Sequence, residues 1–337
     1  MGGIMTRLAA AGAAAGLALL ISGCAGNAAT ATGTSTSPAS ATSRALPSPF
    51  TITARYNAKS LGLEHPDSLA IGPDGNLYVT DVSQRVTVIS PAGTVLRRWG
   101  KPGSGPGEFR FISVDPTNPA DVHGDIAVGP AGEVYVSDSG NARVQMFTPD
   151  GRFIRQFGSE GSGKGQFLQL YHVVVDSAGN VYVTDDGAET LAKFSPAGTV
   201  LWQIDGAASS DPDLMGNFQT TSIDAHGRLV VVNSDQNRVL FINPSGQKVD
   251  AFSPSTSGSS SGHVCEATVD AAGNTYVSGC VTTGPTLVYD RAHRPIARWP
   301  GTQYSLLRSP GFGPHGEVFA LATDGSILKL RITLPGA

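Results

Sequence analysis

The sequence contains little charge, few aromatic side chains and almost no cysteine. Only 15% of its 337 residues are Asp, Glu, Lys or Arg, and the formal net charge is -4 without a basic block. A protein that binds nucleic acid through its phosphates needs clustered cations, so we expect no nucleic-acid partner. The 42 glycines and 22 prolines favour many short strands joined by tight turns. The composition therefore predicts an all-β protein.

A long apolar run lies at the N-terminus. Arg7 precedes a stretch of Ala, Gly and Leu from Leu8 to Ile21, which is too short for a stable membrane span and is typical of a signal peptide. It ends in Ile21-Ser22-Gly23-Cys24, which resembles the lipobox of bacterial lipoproteins. The resemblance implies cleavage before Cys24, acylation of Cys24 with diacylglycerol or palmitate-type chains, and anchoring at the extracytoplasmic face of the cell membrane. An uncleaved anchor and an ordinary secretory signal are the alternatives.

The residues after the lipobox are almost entirely Ala, Thr, Ser, Gly and Pro. Such a segment buries too little apolar surface to offset the entropy of ordering. We therefore divide the chain into a signal peptide (1–23), a lipidated cysteine with a disordered tether (24–49) and one folded domain (50–337).

One phrase recurs six times in the folded domain: a small or polar residue, a glycine, and then an aliphatic-aromatic strand. The repeat glycines lie 57, 47, 48, 46 and 43 residues apart, at Gly75, Gly132, Gly179, Gly227, Gly273 and Gly316. This spacing fits four short strands with their turns. The last repeat is one strand short, and Phe50 to Tyr56 alternates as a strand does. The pattern predicts a six-bladed β-propeller of four-stranded antiparallel blades, closed by this N-terminal strand in the last blade.

Two further motifs carry a family resemblance. Gly-rich loops at 100–109 and 158–167 close on Glu-Phe or Gln-Phe, and the pattern Asp138-x-x-Asn141-x-Arg143 follows the second repeat. Together they resemble the NHL repeat over roughly residues 60–330. The chain thus resembles NHL-repeat propeller lipoproteins of bacteria, of actinobacterial type, and the resemblance implies a monomeric module at the cell surface.

The innermost strand of each blade should point alternate side chains into an axial channel. Seven positions before the repeat glycines stand mostly polar residues: Ser68, Asp125, His172, Thr220, Glu266 and Ser309. Asp125, His172 and Glu266 come from three blades at one level, so they could hold a divalent cation such as calcium or zinc. The alternative is a hydrated channel that binds only ordered water, and no cofactor is therefore assured.

Three further histidines, His65, His123 and His263, precede their innermost strands and are candidate ligand-binding residues at the channel mouth. Histidines there resemble the zinc ligands of the amidating lyases related to NHL proteins, which lie about eight residues before the repeat glycine. This sequence departs from that pattern, because its equivalent positions hold no histidine: Asp67, Gly124, Tyr171, Gln219, Cys265 and Arg308. We accordingly assign no catalytic residue.

The two remaining cysteines, Cys265 and Cys280, flank the predicted hairpin turn around Gly273 symmetrically. They should face each other on adjacent strands, and export would place them in an oxidising compartment. We predict a disulfide, which could stabilise the fold by about 3 kcal/mol. The alternative is a pair of free thiols that bind metal or act in redox chemistry.

These features favour a non-catalytic, membrane-anchored module that binds or scaffolds an envelope protein or a small ligand. The competing hypothesis is a metal-dependent lyase or lactone hydrolase with its site at the channel mouth. A structural envelope protein without a small ligand is a third possibility, since a propeller fold alone does not decide function.

Overall fold

A computed structural model describes residues 46–113, 122–255, 263–279, 284–299 and 310–335. Within these ranges six sheets of four antiparallel strands each are present. The fold is a six-bladed β-propeller, and the predicted all-β class and blade count are confirmed. No helix in the described ranges is both long and apolar enough to cross a membrane.

Each blade is given from its innermost to its outermost strand. Blade 1 comprises β2 (Pro66–Ile71), β3 (Leu77–Asp81), β4 (Arg85–Ile89) and β5 (Val95–Trp99). Blade 2 comprises β8 (Ile126–Val128), β9 (Val134–Asp138), β10 (Arg143–Phe147) and β11 (Phe153–Phe157). Blade 3 comprises β12 (Leu170–Val175), β13 (Val181–Asp185), β14 (Thr190–Phe194) and β15 (Val200–Asp205). Blade 4 comprises β16 (Phe218–Ile223), β17 (Leu229–Asn233), β18 (Arg238–Ile242) and β19 (Lys248–Phe252). Blade 5 comprises β20 (Val264–Val269), β21 (Thr275–Gly279), β22 (Thr286–Tyr289) and β23 (Pro295–Trp299). Blade 6 comprises β24 (Gly311–Phe312), β25 (Val318–Leu321), β26 (Ile327–Ile332) and β1 (Phe50–Tyr56). The remaining elements are a two-stranded ribbon of β6 (Ile112–Ser113) and β7 (Val122–His123), and short 3-10 turns at Lys59–Leu61 and Ser139–Asn141.

The N-terminal strand closes the ring as predicted. β1 pairs antiparallel with β26, from Phe50 opposite Ile332 to Tyr56 opposite Ile327. The Phe50 ring is 8% exposed and packs edge-on against Trp299 of blade 5, with ring centroids 4.7 Å apart. A strand from one end of the chain thereby completes the blade formed by the other end.

Residues just before β1 also contact the propeller. The backbone N–H of Arg298 donates to Pro47 O at 2.9 Å, and that of Thr333 donates to Pro49 O at 2.8 Å. Leu46 packs against the apolar cluster between blades 4 and 5. The chain therefore crosses the outer edge of blade 5 before it enters blade 6.

The core lies between blades. Six apolar clusters are found in the described residues, and each joins side chains of two adjacent blades. The repeat tyrosines occupy equivalent positions in the second strands and are at most 2% exposed: Tyr78, Tyr135, Tyr182 and Tyr276. Since a four-stranded blade has two apolar faces, only a closed ring buries all of them.

In blades 1 to 3 the acid that ends the second strand anchors the loop that enters the same blade. Asp138 accepts from the Arg110 backbone N–H at 2.7 Å and pairs with Arg143 Nε at 2.7 Å, and Arg143 also donates to Gly105 O at 2.9 Å. Asp185 accepts from the Leu168 N–H at 2.6 Å. These acids are structural, because each accepts hydrogen bonds from part-buried backbone N–H groups of the loop.

Candidate functional site

Side chains from the innermost strands line one small axial cavity. Its volume is about 140 Å³, and its polar lining residues are Ser68, Asp125, His172, Ser222, Glu266 and Thr268. They come from five blades, because each inner strand directs alternate side chains toward the axis. Three predicted channel residues, Asp125, His172 and Glu266, are at most 8% exposed and share this cavity.

Asp125 is the centre of a buried hydrogen-bond network. One carboxylate oxygen accepts from Ser68 Oγ of blade 1. The other lies 3.0 Å from His172 Nδ1 of blade 3 and accepts from the Val173 backbone N–H at 2.8 Å. A single carboxylate therefore ties three consecutive blades together at the axis.

The network fixes the charge of Asp125. Burial alone would raise the pKa of this carboxyl, but the charge and hydrogen bond of His172, together with the hydrogen bonds from Ser68 and Val173, lower its pKa to about 2. Asp125 is therefore a carboxylate at neutral pH. It orients the His172 ring by holding Nδ1, as carboxylates do for imidazoles in many proteins.

Hydroxyl groups of the second strands support the inner ring. The Asp125 backbone N–H donates to Ser137 Oγ at 2.7 Å, and the His172 N–H donates to Thr184 Oγ1 at 3.2 Å. Ser137 and Thr184 occupy the same place in their repeats, directly before the terminal acid. Sequence reasoning missed this role, although the recurring Ser or Thr was its visible signal.

The polar ring has the arrangement of a hydrogen-bonded network and does not fit a coordination shell. In the ranges that the structure describes, no group of three or more His, Cys, Asp or Glu side chains is placed to hold a metal ion. The Asp125 oxygens already accept three hydrogen bonds, and the Nδ1 atom of His172 faces this carboxylate. A divalent cation on Asp125, His172 and Glu266 would have to displace these contacts, so the metal hypothesis remains a prediction.

The three candidate mouth histidines occupy separate loops and strands. His65 is exposed and has a positive φ of 42°. His263 is exposed, and its Nδ1 lies 3.1 Å from Ser234 O. His123 ends β7, opposite Ile112, and its side chain lies outside the described residues. Among the described contacts none joins two of these histidines, and their role in ligand binding remains a prediction.

The structure describes one of the three cysteines, Cys265. Cys265 lies in β20 and is disulfide-bonded. Its predicted partner Cys280 lies outside the described residues, as do Cys24 and the predicted signal peptide. The pairing and the lipidation therefore remain predictions.

A larger concave surface lies where the ring closes. This open groove has a volume of about 940 Å³, and it is lined by residues of blades 5, 6 and 1 that include Tyr56, Pro91, Asp270, Tyr276 and Lys329. Blade 6 is the blade whose third and fourth strands come from opposite ends of the chain, so no turn joins them there. Sequence reasoning did not anticipate this groove.

Fold and channel together define the chain as a six-bladed β-propeller with a polar axial core. Residues 127–202 match the family DUF5128, which is described as a 6-bladed beta-propeller. The peptidyl-glycine alpha-amidating monooxygenase of Mus musculus is 40% identical over 114 residues, which cover 30% of this chain and 10% of that protein. Its Xenopus laevis A counterpart is 37% identical over 113 residues, covering 30% and 11%. The chain thus spans about a tenth of the length of these relatives.

Solved structures with the same fold include virginiamycin B lyase from Staphylococcus aureus. The selenomethionine form has a TM-score of 0.55 at 14% identity and covers 84% of this chain and 99% of that one. A catalytically inactive form with quinupristin has a TM-score of 0.56 at 15% identity, with the same coverage. At these identities the likeness shows the propeller fold alone.

Proposed function

We propose that the chain is an NHL-type propeller lipoprotein of bacteria that works at the extracytoplasmic membrane face as a non-catalytic binding or scaffold module. The lipobox-like sequence at Cys24 and the Ala/Ser/Thr-rich tether support the anchoring. The contacts of Asp138 and Arg143 with each other and with the Gly-rich loop support the NHL assignment, because they give the pattern Asp138-x-x-Asn141-x-Arg143 a structural role.

The closed network around Asp125 is the observation that carries the non-catalytic role. The side chain of His172 is 10% exposed, that of Asp125 is 6% exposed, and the cavity beside them holds about 140 Å³. At about 30 Å³ per molecule this is room for four or five waters. A general base must reach its substrate within hydrogen-bond distance, and a cavity of this volume cannot enclose a whole peptide or macrocycle.

A metal-dependent lyase or lactone hydrolase is the second candidate. The names of the relatives, amidating monooxygenases and virginiamycin B lyases, are those of enzymes. A buried imidazole held by a carboxylate is also a common general base. In this candidate the cation would polarise a substrate oxygen, while Asp125 would keep the His172 ring oriented.

Metal analysis separates the two candidates. The full chain is purified, offered zinc or calcium, and assayed for bound metal and for thermal unfolding with and without chelator. The binding module is expected to retain no stoichiometric metal and to unfold at the same temperature in both buffers. One equivalent of metal that is lost in His172→Ala, but kept in the control His226→Ala, whose side chain is 68% exposed, would favour the enzyme.

Metabolic labelling with palmitate tests the anchor. The unmodified chain and the tether control Ser35→Ala should incorporate the label, and Cys24→Ala, which removes the predicted acylation site, should not. Equal labelling of Cys24→Ala and the unmodified chain would contradict the lipid anchor.

Crosslinking in intact envelopes tests the binding role. A photoreactive residue in place of His65 or His263 would probe the predicted mouth, and one in place of Arg291, which lines the cavity between blades 4 and 5, serves as a control. One recurring adduct from the mouth positions supports the module, and no adduct from any position contradicts it.

A further inference from the structure

Blades 1 to 4 share one device at their junctions with the preceding blade. The turn between the third and fourth strands contains a glycine with a positive φ between 84° and 87°: Gly93, Gly151, Gly198 and Gly246. A Cβ at these positions would come within 2.3 to 3.0 Å of an aromatic ring on the preceding blade's outermost strand, namely Tyr56, Trp99, Phe157 and Trp202. Glycine is required there by both its backbone angle and the close approach.

A hydrogen bond accompanies each of these ring contacts. A donor on the preceding blade's outermost strand reaches the carbonyl oxygen of the turn proline. The four pairs are Tyr56 Oη to Pro91 O at 2.9 Å, Arg97 Nη1 to Pro149 O at 3.1 Å, Arg155 Nη1 to Pro196 O at 3.4 Å, and Trp202 Nε1 to Pro244 O at 3.0 Å. In these four junctions the strand donates and the turn accepts, and neither partner gains or loses a proton near neutral pH.

The junction between blades 4 and 5 reverses this arrangement. The turn has Arg291 in the proline position and His293 in the glycine position, with a φ of 58°. In blades 1 to 3 the donor is the third residue of the outermost strand. In blade 4 the third residue of the outermost strand, β19, is Asp250. His293 Nε2 lies 3.5 Å from Asp250 Oδ2, so the donor is now on the turn and the acceptor on the strand.

Aromatic packing fixes the imidazole in this position. The His293 ring stacks on Phe252, with centroids 4.3 Å apart and planes 16° apart, and lies 5.6 Å from Phe241. A non-glycine residue pays a steric cost for the left-handed conformation. The stacking and the carboxylate are the contacts that offset it.

Other charged groups face the same small cavity of about 90 Å³. Arg228 Nε pairs with Asp224 Oδ2 at 2.7 Å. The same oxygen of Asp224 lies 3.9 Å from His226 Nδ1. In the turn itself, Arg294 pairs with Asp290 at 2.7 Å, and Arg291 Nε donates to Ala272 O at 2.6 Å. Asp224 and Asp290 thus have arginine partners, and Asp250 is the described carboxylate that lies within ion-pair distance of His293.

We propose that the junction between blades 4 and 5 is a proton-dependent latch. An imidazolium at His293 attracts Asp250 across the junction, and a neutral imidazole does not. Imidazoles change charge between about pH 5 and 8, so the latch tightens on the acidic side and loosens as the pH rises. The His293 side chain is 21% exposed and that of Asp250 44% exposed, so solvent limits the effect to a local one. The latch is independent of the proposed function.

Amide hydrogen exchange of the full chain measures the latch where it acts. Protection of the amides at 290–294 is compared with that of the equivalent blade 4 turn, 243–247, at pH 5.5 and 8.0 after correction for intrinsic exchange. At 290–294 we expect protection to fall about two- to fivefold at the higher pH, with no matching change at 243–247. Asp250→Asn and His293→Gly should both abolish the difference between the turns.

Two outcomes would overturn the proposal. One is an equal response of both turns to pH in the unmodified chain. The other is a pH response at 290–294 that survives in Asp250→Asn, provided that near-UV circular dichroism shows this variant to be folded. If Asp250→Asn does not fold, His293→Gly decides in its place, because it restores the residue that blades 1 to 4 use.

Discussion

Replacing Asp125 with asparagine tests the axial network most quantitatively. The pKa of Asp125 drops from an ordinary 3.8 to about 2 in the folded protein, which corresponds to on the order of 2 kcal/mol of stability at about 1.4 kcal/mol per pKa unit. Asparagine keeps the shape but removes the charge, and it turns an amide donor toward Ser68 or toward His172 and Val173. Asp125→Asn should therefore lower the free energy of unfolding at pH 7 by on the order of 2 kcal/mol.

The stabilisation by Asp125 should depend on pH and be lost in acid. A carboxyl whose folded pKa is lowered stabilises the protein above its unfolded pKa, and that contribution disappears as the pH falls toward the folded value. The difference in the free energy of unfolding between the unmodified chain and the variant should thus be largest at pH 7 and should decrease as the pH falls from about 5 to 2.

Urea unfolding followed by circular dichroism measures both quantities at a series of pH values. Asp150→Asn is the matched control, because Asp150 also pairs with a cation, Arg152, but both side chains are more than half exposed; its unfolding midpoint should barely move. A variant within about 0.5 kcal/mol of the unmodified chain at pH 7, or a difference that persists undiminished at pH 3, would refute the reasoning.

Three further predictions concern the ring. Phe50→Ala should cost about 3 kcal/mol in urea unfolding, whereas the exposed Thr51→Ala should cost little; equal effects would contradict the packing of β1. Gly198→Ala should lower the melting temperature more than Gly316→Ala. Both glycines have a positive φ, but a Cβ at 198 would lie 2.8 Å from the Phe157 side chain, whereas a Cβ at 316 would have no neighbour within 4 Å; the reverse order would refute the junction device. Cys265→Ser should cost about 2–4 kcal/mol, and two alkylatable thiols in the unmodified native protein would exclude the predicted bridge.

The blade count and the closure could be predicted from the sequence because a blade is a local unit. Its four strands follow one another along the chain, so the repeat glycines and the turn prolines mark it directly. The missing strand in the last repeat also pointed to β1 without any knowledge of packing.

The state of the channel could not be predicted in the same way. Strand alternation placed Asp125, His172 and Glu266 in one polar ring, and the structure brings all three to one cavity. Whether such side chains bind a metal or each other depends on rotamers and on the spacing between blades, which a repeat pattern does not encode. The network with Ser68 and the groove at the ring closure are therefore seen only in the three-dimensional structure.

The turn at His293, in contrast, has a feature in the sequence from which its contact could have been predicted. The turn motif Pro-x-Gly recurs in blades 1 to 4, and Arg291-Ala292-His293 departs from it. A departure from a repeat at a position that needs a positive φ implies a compensating contact. Here that contact is with Asp250 and Phe252 of the neighbouring blade.

Disulfide trapping tests directly whether the N-terminal strand completes the sixth blade. Thr51 and Arg331 are opposed Cα partners on β1 and β26, and opposed strand residues lie about 4.5–5.5 Å apart, within reach of a disulfide. The full chain carrying Thr51→Cys and Arg331→Cys should yield, on mild oxidation, a peptide pair linked between residues 51 and 331 in mass spectra without reductant. The offset pair Thr51→Cys and Lys329→Cys should link poorly. Failure of the opposed pair to crosslink in folded protein, or equal crosslinking of both pairs, would contradict the closed six-bladed ring.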